Sequence, residues 1–414
     1  MGAPKSISLS NIRSALNFTV LVASLGYFVD MYDLVLFGIV RIESLTALGV
    51  SGDDLATKGV LLLNMQMIGM LIGGIIWGIL GDKKGRISVL FGSIALYSIA
   101  NIANAFVIDV PGYALCRFFA GVGLAGELGA AITLVSEILK KEARGYGTTI
   151  VASVGIMGSV VAGFVGNHFS WKMAYILGGL LGLVLLALRA KMLESGMFSS
   201  VKSNLAIKRG DFLSLFTDRK RFLKYLRCIL IGLPMWFVVG ILIILSPEFA
   251  VILGVKGNVS AGNSIMYAYS GLVVGDILSG FSSQALKSRK KIILVFLLLT
   301  SVVIGFYLSS SGLSLHAFYA LCFVLGISIG YWAVFVTIAS EQFGTNLRAT
   351  VTTSVPNFVR GAVVLITLSF QALKSTFGLV GAAYLVGFTT IAIALLALYF
   401  MEETYHKDLN YLEE

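Results

Sequence analysis

The sequence predicts an all-α membrane protein of twelve transmembrane helices, arranged as two pseudo-symmetric six-helix bundles. Three observations predict it. The 414-residue chain is 57% hydrophobic and only 13% charged, with a mean hydropathy of +0.91, whereas a soluble globular chain carries about 25% charged residues. The apolar residues gather into twelve runs, each near the roughly 20 residues that a bilayer requires: 14–40, 59–80, 87–108, 112–139, 146–168, 171–190, 223–247, 262–286, 292–312, 315–340, 349–373 and 378–401. The third observation is an internal repeat. Ser136-Glu137 followed by Arg144 recurs as Ser340-Glu341 followed by Arg348 at an offset of 204, and Gly78 recurs as Gly280 at an offset of 202. Such a repeat relates two halves about an axis along the membrane normal. The expected units are a bundle over 1–190, a cytoplasmic link over 191–222, and a second bundle over 223–414 with a short tail.

The even number of spans puts both termini on one side, and the positive-inside rule selects the cytoplasm. With that choice the outer links hold Arg41, Lys58, Lys172, Lys256 and Lys374, and Arg117 and Arg360 fall inside spans. The other 24 of the 31 Lys and Arg residues lie at the inner face. This asymmetry explains the formal charge of +10 without a nucleic-acid partner. The expected location is the plasma membrane, a bacterial inner membrane, with the lipid bilayer as surroundings and a monomer as the unit. Residues 1–16 are polar and lack the apolar core of a cleavable signal.

The first span carries Asp30 and Asp33. Spans two and three are joined by Gly78-Ile79-Leu80-Gly81-Asp82-Lys83-Lys84-Gly85-Arg86, an acid and several bases packed into a very short link whose glycines permit a tight reversal. The order Gly, three residues, Asp, a base, any residue, Gly, Arg resembles the link between helices two and three of the major facilitator superfamily of transporters. The final base of the usual pattern is replaced by Ile87. Arg117 to Gly123 in the fourth span is similar to the helix-four motif of that superfamily. Glu341 to Thr350 resembles the link between helices ten and eleven in its sugar and organic-ion branches. The run Val29-Asp30-Met31-Tyr32-Asp33 and the Gly126-Glu127 pair look most like bacterial proton symporters of organic acids, aromatic acids and osmolytes. The resemblance implies the major facilitator fold and alternating access between two bundles. It also implies that helices one, four, seven and ten line a central cavity, and that the link Gly78 to Arg86 closes the cytoplasmic side as a latch.

Two further patterns in the fourth and later spans mislead. Gly121 to Gly126 reads G-x-G-x-x-G, but it sits in mid-span rather than after a strand, so close helix packing is the better reading. His168, His316 and His406 are scattered and make no metal site, and the three cysteines give neither a disulfide framework nor a metal site. No cofactor is expected and no enzyme activity, since no nucleophile stands with a base. The fifth span, with Gly155 and Gly158 to Gly163, lacks the Gly-Pro pair of the drug antiporters that this chain resembles, which counts against efflux.

Ionisable residues within spans are expensive and usually functional. Here they are Asp30, Asp33, Arg117, Glu127, Asp276 and Arg360. At about 1.5 Å per residue, Asp33 lies ~10 Å and Asp30 ~15 Å below the outer end of span one, while Arg117 lies ~7 Å down. Arg117 and Asp33 are therefore at similar depth. Asp30 and Asp33 share a helix face, which fits one ion pair and one proton carrier, with Glu127 as a third coupling candidate. Arg360, three residues after Asn357, suits a carboxylate, or pairs with Asp276. Trp236, Tyr331 and Trp332 supply an apolar wall. Asp276 belongs either to this set or to the latch.

The latch residues are expected to be Gly78, Asp82, Gly85, Arg86, Glu137, Arg144, Glu341 and Arg348. Asp82 is expected at the start of the eleventh helix near Ala349, with Arg144 as its partner. The second-half copy of the link, Ser283 to Arg289, has Gln284 in place of the acid, so only the first half is expected to keep a charge latch. The function that follows is proton-coupled symport of a small organic solute, an anion in preference, with proton-driven efflux, uncoupled uniport, an intramembrane enzyme and a receptor as alternatives.

Overall fold

The computed structural model describes residues 16–51, 54–189 and 210–413. Most of the link expected at 191–222 lies outside the described residues. Among the described residues, eleven helices are long and apolar enough to cross a bilayer. The last of them, Arg348–Tyr399, has 52 residues, about 78 Å at 1.5 Å per residue, more than twice a hydrocarbon core. It turns at Gly378, where φ is 69°, and so supplies spans 11 and 12. Spans 1 to 3 are Phe18–Ala47, Asp54–Lys84 and Arg86–Asn104. Spans 5 and 6 are Lys141–His168 and Trp171–Leu188. Spans 8 and 9 are Ala261–Ala285 and Arg289–Ser309.

Polar caps mark several places where the chain enters a helix. The side chains of Asn17, Asp109, Ser170, Asp218, Ser288 and Ser314 each accept from a backbone N–H of the first turn, which satisfies donors that would otherwise be left open at the helix start.

Spans 4, 7 and 10 are not continuous, a feature absent from the apolar runs. Span 4 is Val110–Leu124 followed by Glu127–Ile138. Span 10 is Leu315–Ser328 followed by Trp332–Gln342. The two breaks hold Gly126 and Gly330, again 204 apart. Span 7 runs through Arg219–Leu230, Leu233–Phe237 and a π-helical turn, Val238–Ile243. Irregular backbone survives at membrane depth only when protein buries it, and residues 124–126, 329–331 and 238–243 are all buried.

The G-x-G-x-x-G string is a packing surface. A Cβ at Gly121 would come within 2.2 Å of the Gln66 carbonyl oxygen on span 2. The halves meet along spans 2 and 11 and along spans 5 and 8. On the first seam Gly74 lies against Asn357 and Gly78 against the Thr350 backbone; on the second Gly280 lies against Thr149.

Candidate functional site

A cavity lies between the halves, lined by Tyr27, Met31, Trp236, Tyr269, Trp332 and Arg360 among others. Trp236 and Trp332 meet edge to face with centroids 6.5 Å apart. The Arg360 guanidinium stands 5.6 Å over the Trp332 ring, and its Nη1 donates to Asn357 Oδ1 at 3.1 Å. Asn357 Nδ2 in turn donates to the Ala125 carbonyl, at the break in span 4 of the opposite half, at 3.1 Å. Asn357 thus aims Arg360 and ties it to the other bundle. Tyr331 does not join this wall. Its hydroxyl donates to the Ile231 carbonyl at 3.0 Å and its ring packs on Phe296, so it belongs to the interior of the second half.

The buried acids are partnered unequally. Arg117 Nη1 lies 3.3 Å from Asp33 Oδ1, both side chains fully buried, with Phe37 and Tyr175 rings flanking the guanidinium. The matched depths of Asp33 and Arg117 are therefore those of a pair in contact. Glu127 accepts from Ser93 Oγ at 2.6 Å and from both terminal nitrogens of Arg189 at 2.9 and 2.5 Å. Arg189 had been counted among the inner-face bases. It is instead fully buried, turned inward from the end of span 6, where it also donates to the Leu90 carbonyl. Asp276 pairs neither with Arg360 nor with the latch; its Oδ1 accepts from Ala333 N at 3.0 Å, at the start of the half-helix Trp332–Gln342. A carboxylate is favoured there by the positive end of the helix dipole. Asp30 is fully buried, and among the described residues neither of its oxygens has a hydrogen-bond partner. Arg360 is among the charges that act on it.

The residues expected to form a latch gather at the face that carries the span 2–3 link. Gly85 turns that link with φ 106°, a conformation that favours glycine. Asp82 accepts from the N–H groups of Ala349 and Thr350 at 3.1 and 2.8 Å, and Arg86 is 3.5 Å away. Arg144 is not the partner of Asp82. It lies 3.6 Å from Glu341, in the other half, because span 5 begins beside the end of span 10 rather than beside span 2. Glu137 holds Arg86 and, across the halves, Arg348, each at 2.8 Å. Glu341 holds Arg289 at 3.2 Å as well as Arg144. The second half therefore has a charge cluster of its own despite Gln284: Arg289 and Glu341 repeat the contact of Arg86 with Glu137.

A strap missed in the sequence covers this face. Leu409 O accepts from Arg348 at 2.5 Å, Lys407 O from Arg144 at 3.4 Å, and Glu341 from Thr404 Oγ1 at 2.7 Å. The tail thus bonds to members of both charge clusters.

The Major Facilitator Superfamily model matches residues 23–367. The chain belongs to this superfamily. It is 28% identical over 80% of its length, and 81% of the other, to a putative niacin/nicotinamide transporter of Bacillus subtilis. It is 28% identical to the 3-(3-hydroxy-phenyl)propionate transporter of Escherichia coli, over 74% of this chain and 77% of that one. In fold it matches the proton:xylose symporter XylE with a TM-score of 0.76, at 17% identity over 97% of this chain and 98% of that one. A second solved superfamily member, FucP, gives 0.73 at 13% identity over 94% and 99%. The chain is thus a multi-pass membrane transporter and not an enzyme. The buried ion-pair partner that sequence reasoning missed is Arg189, whose place one residue from the end of an apolar run gives no local sign that it turns inward.

Proposed function

We propose that the protein is a proton-coupled symporter that imports a small organic anion, an aromatic carboxylate in preference, by alternating access. The observation that carries the reading is the unequal pairing of the buried acids. Asp33 is tied to Arg117, Glu127 to Arg189 and Asp276 to a helix start, while Asp30 has no hydrogen-bond partner among the described residues. A buried carboxyl without a partner is far easier to keep neutral than charged, so Asp30 is the proton carrier. Arg360 offers the carboxylate a cation in a largely apolar site, and Trp236 and Trp332 offer an aromatic ring two faces. The names of the relatives support the substrate class, a benzoate transport protein of Acinetobacter baylyi and a gentisate transporter of Corynebacterium glutamicum among them.

In this reading residues 1–190 and 223–414 are the two rocking bundles and 191–222 their link. The latch face is cytoplasmic, in agreement with its excess of Lys and Arg. The membrane is a bacterial inner membrane, and the transporting unit is a monomer.

The test is a thermal-shift screen of benzoate, nicotinate, 3-phenylpropionate and their uncharged amides, followed by uptake into liposomes with and without an imposed pH gradient. Acids should stabilise the protein and amides should not. Asp30→Asn should keep counterflow, which needs no net proton movement, and lose accumulation driven by the pH gradient. Full pH-driven accumulation by that variant sinks the assignment of Asp30.

A further inference from the structure

A second cavity opens at the face of the span 2–3 link, between spans 7, 10 and 12 and apart from the central site. Its wall is one stripe of the helix Arg219–Leu230. Lys220, Leu223, Lys224 and Arg227 fall at i, i+3, i+4 and i+7, which is a single helical face, and all four line the cavity. Three of the four are cations that line the hollow, Lys220 exposed and Lys224 and Arg227 half-buried.

Their charges are only partly matched. Lys224 is 2.7 Å from Glu413. Arg227 donates to the Phe400 carbonyl at 2.8 Å and stands over that ring at 5.7 Å, and among the described residues neither it nor Lys220 has an ion-pair partner. Lys407 of the tail adds a fourth base nearby. Burial first, and then the charge of Lys224, hold its ammonium below the ordinary lysine range, against the opposing pull of Glu402 and Glu413. Four bases thus crowd two acids. On the opposite wall Gln342 is buried; its Nε2 donates to the Glu402 carbonyl at 3.2 Å, and among the described residues its Oε1 has no partner. At the rim Tyr399 and Phe400 are 77% and 54% exposed. Exposed aromatic side chains beside a cationic cluster mark the headgroup level of a bilayer.

We infer that this cavity binds a phosphate-bearing ligand, held between Lys220 and Arg227. The bases match a phosphate in charge and, for Arg227, in fork geometry. The orphan acceptor of Gln342 calls for a ligand that also donates: a protonated phosphate oxygen, or the hydroxyl of a glycerol headgroup. Sulfate has the charge without the donor, and a choline headgroup has neither a net charge nor a donor.

The test follows the melting temperature of the detergent-purified full chain against four probes. They are inorganic phosphate, sulfate at matched ionic strength, dihexanoylphosphatidylglycerol and dihexanoylphosphatidylcholine. A saturable rise with phosphate, the glycerol lipid or both is expected, with sulfate at least about threefold weaker than phosphate where phosphate binds. Phosphate alone identifies a soluble ligand, and the glycerol lipid alone identifies a headgroup. No saturable rise with either, or equal rises with sulfate and with the choline lipid, overturns the site. The K220Q/R227Q variant should weaken half-saturation by about tenfold or more, and unchanged binding overturns the assignment of these two bases. Glu402→Gln guards against a variant that merely folds poorly. Loss of a negative rim charge should tighten phosphate binding about threefold, and unchanged or weaker binding counts against the site.

Discussion

Arg189 and Glu127 form a two-pronged ion pair inside the first bundle, at 2.9 and 2.5 Å, with neither side chain exposed. The pair joins the end of span 6 to the break in span 4, and Ser93 of span 3 completes it at 2.6 Å. In the proposed reading this pair makes Glu127 a structural group, and Asp30 is the proton carrier. Arg189→Gln and Glu127→Gln should each destabilise the protein by about 3–5 kcal/mol, because each leaves a buried charge without its partner. The double variant should recover much of that loss, a coupling that a double-mutant cycle of melting curves measures. The double variant should also keep accumulation driven by a pH gradient. If it melts well and has lost pH-driven accumulation while counterflow persists, Glu127 carries the proton after all.

The contact of Asp82 with the start of span 11 is a charge-assisted cap. Both oxygens accept from backbone N–H groups, at 3.1 and 2.8 Å, across the seam between the halves. Asp82→Asn keeps one acceptor and loses the charge, a change of about 1–2 kcal/mol and so roughly a 5- to 30-fold shift in a two-state balance. Spin labels on the span 2–3 and span 10–11 links should show a larger population at long distance, with substrate affinity nearly unchanged. Identical distance distributions in the variant and the parent exclude Asp82 as a latch.

How far these contacts were legible follows from what each residue type signals. Twelve apolar runs fix twelve crossings, and a rise of about 1.5 Å per residue was enough to bring Asp33 and Arg117 to one depth. The partner of Asp82 at the start of span 11 was legible too, since an acid beside a helix start has a physical reason. Arg189 was not, because an arginine at the edge of an apolar run ordinarily reaches out to water, and nothing local shows it turned inward. The partner of Arg144 depended on which helix ends lie side by side, which spacing along the chain does not encode. The tail was the least legible element. It acts through the carbonyls of Lys407 and Leu409, and a backbone acceptor leaves no mark in a sequence. Nor did the apolar runs show the breaks in spans 4 and 10, because Gly126 and Gly330 are also the residues expected of tight helix packing.

Glu403 anchors that tail outside the membrane. Burial works to raise its pKa, but the Ser288 hydroxyl and the N–H groups of Arg289, Tyr405 and Lys290 outweigh it and hold the carboxyl below its ordinary value of 4.5. A depressed acid stabilises the folded state above its unfolded pKa and loses that contribution as pH falls through the folded value. Glu403→Gln should therefore lower the melting temperature at pH 7, and the gap from the parent should narrow once the pH drops below about 4.5. A gap that stays constant down to the lowest pH at which the protein remains folded assigns the effect to packing rather than to the charge.

The sign of the substrate turns on Arg360. Among the described residues it has no carboxylate within ion-pair distance; its recorded contacts are Asn357 Oδ1 at 3.1 Å and the face of Trp332 at 5.6 Å. Asp276, the acid best placed by sequence to neutralise it, is taken by Ala333 N. A guanidinium in a largely apolar cavity is stabilised most by an anion that enters with the substrate. Arg360→Lys keeps the charge and gives up the fork, so affinity for a carboxylate should fall about 10- to 100-fold, while the melting temperature moves little because no internal ion pair is broken. Asn357→Ala removes the group that aims the guanidinium and should weaken binding in the same direction by a smaller factor. Ligand titrations run beside melting curves decide it. Unchanged affinity with a clearly lowered melting temperature in Arg360→Lys would show Arg360 to be structural, and the acids of spans 1 and 4 would then face a cationic or zwitterionic substrate.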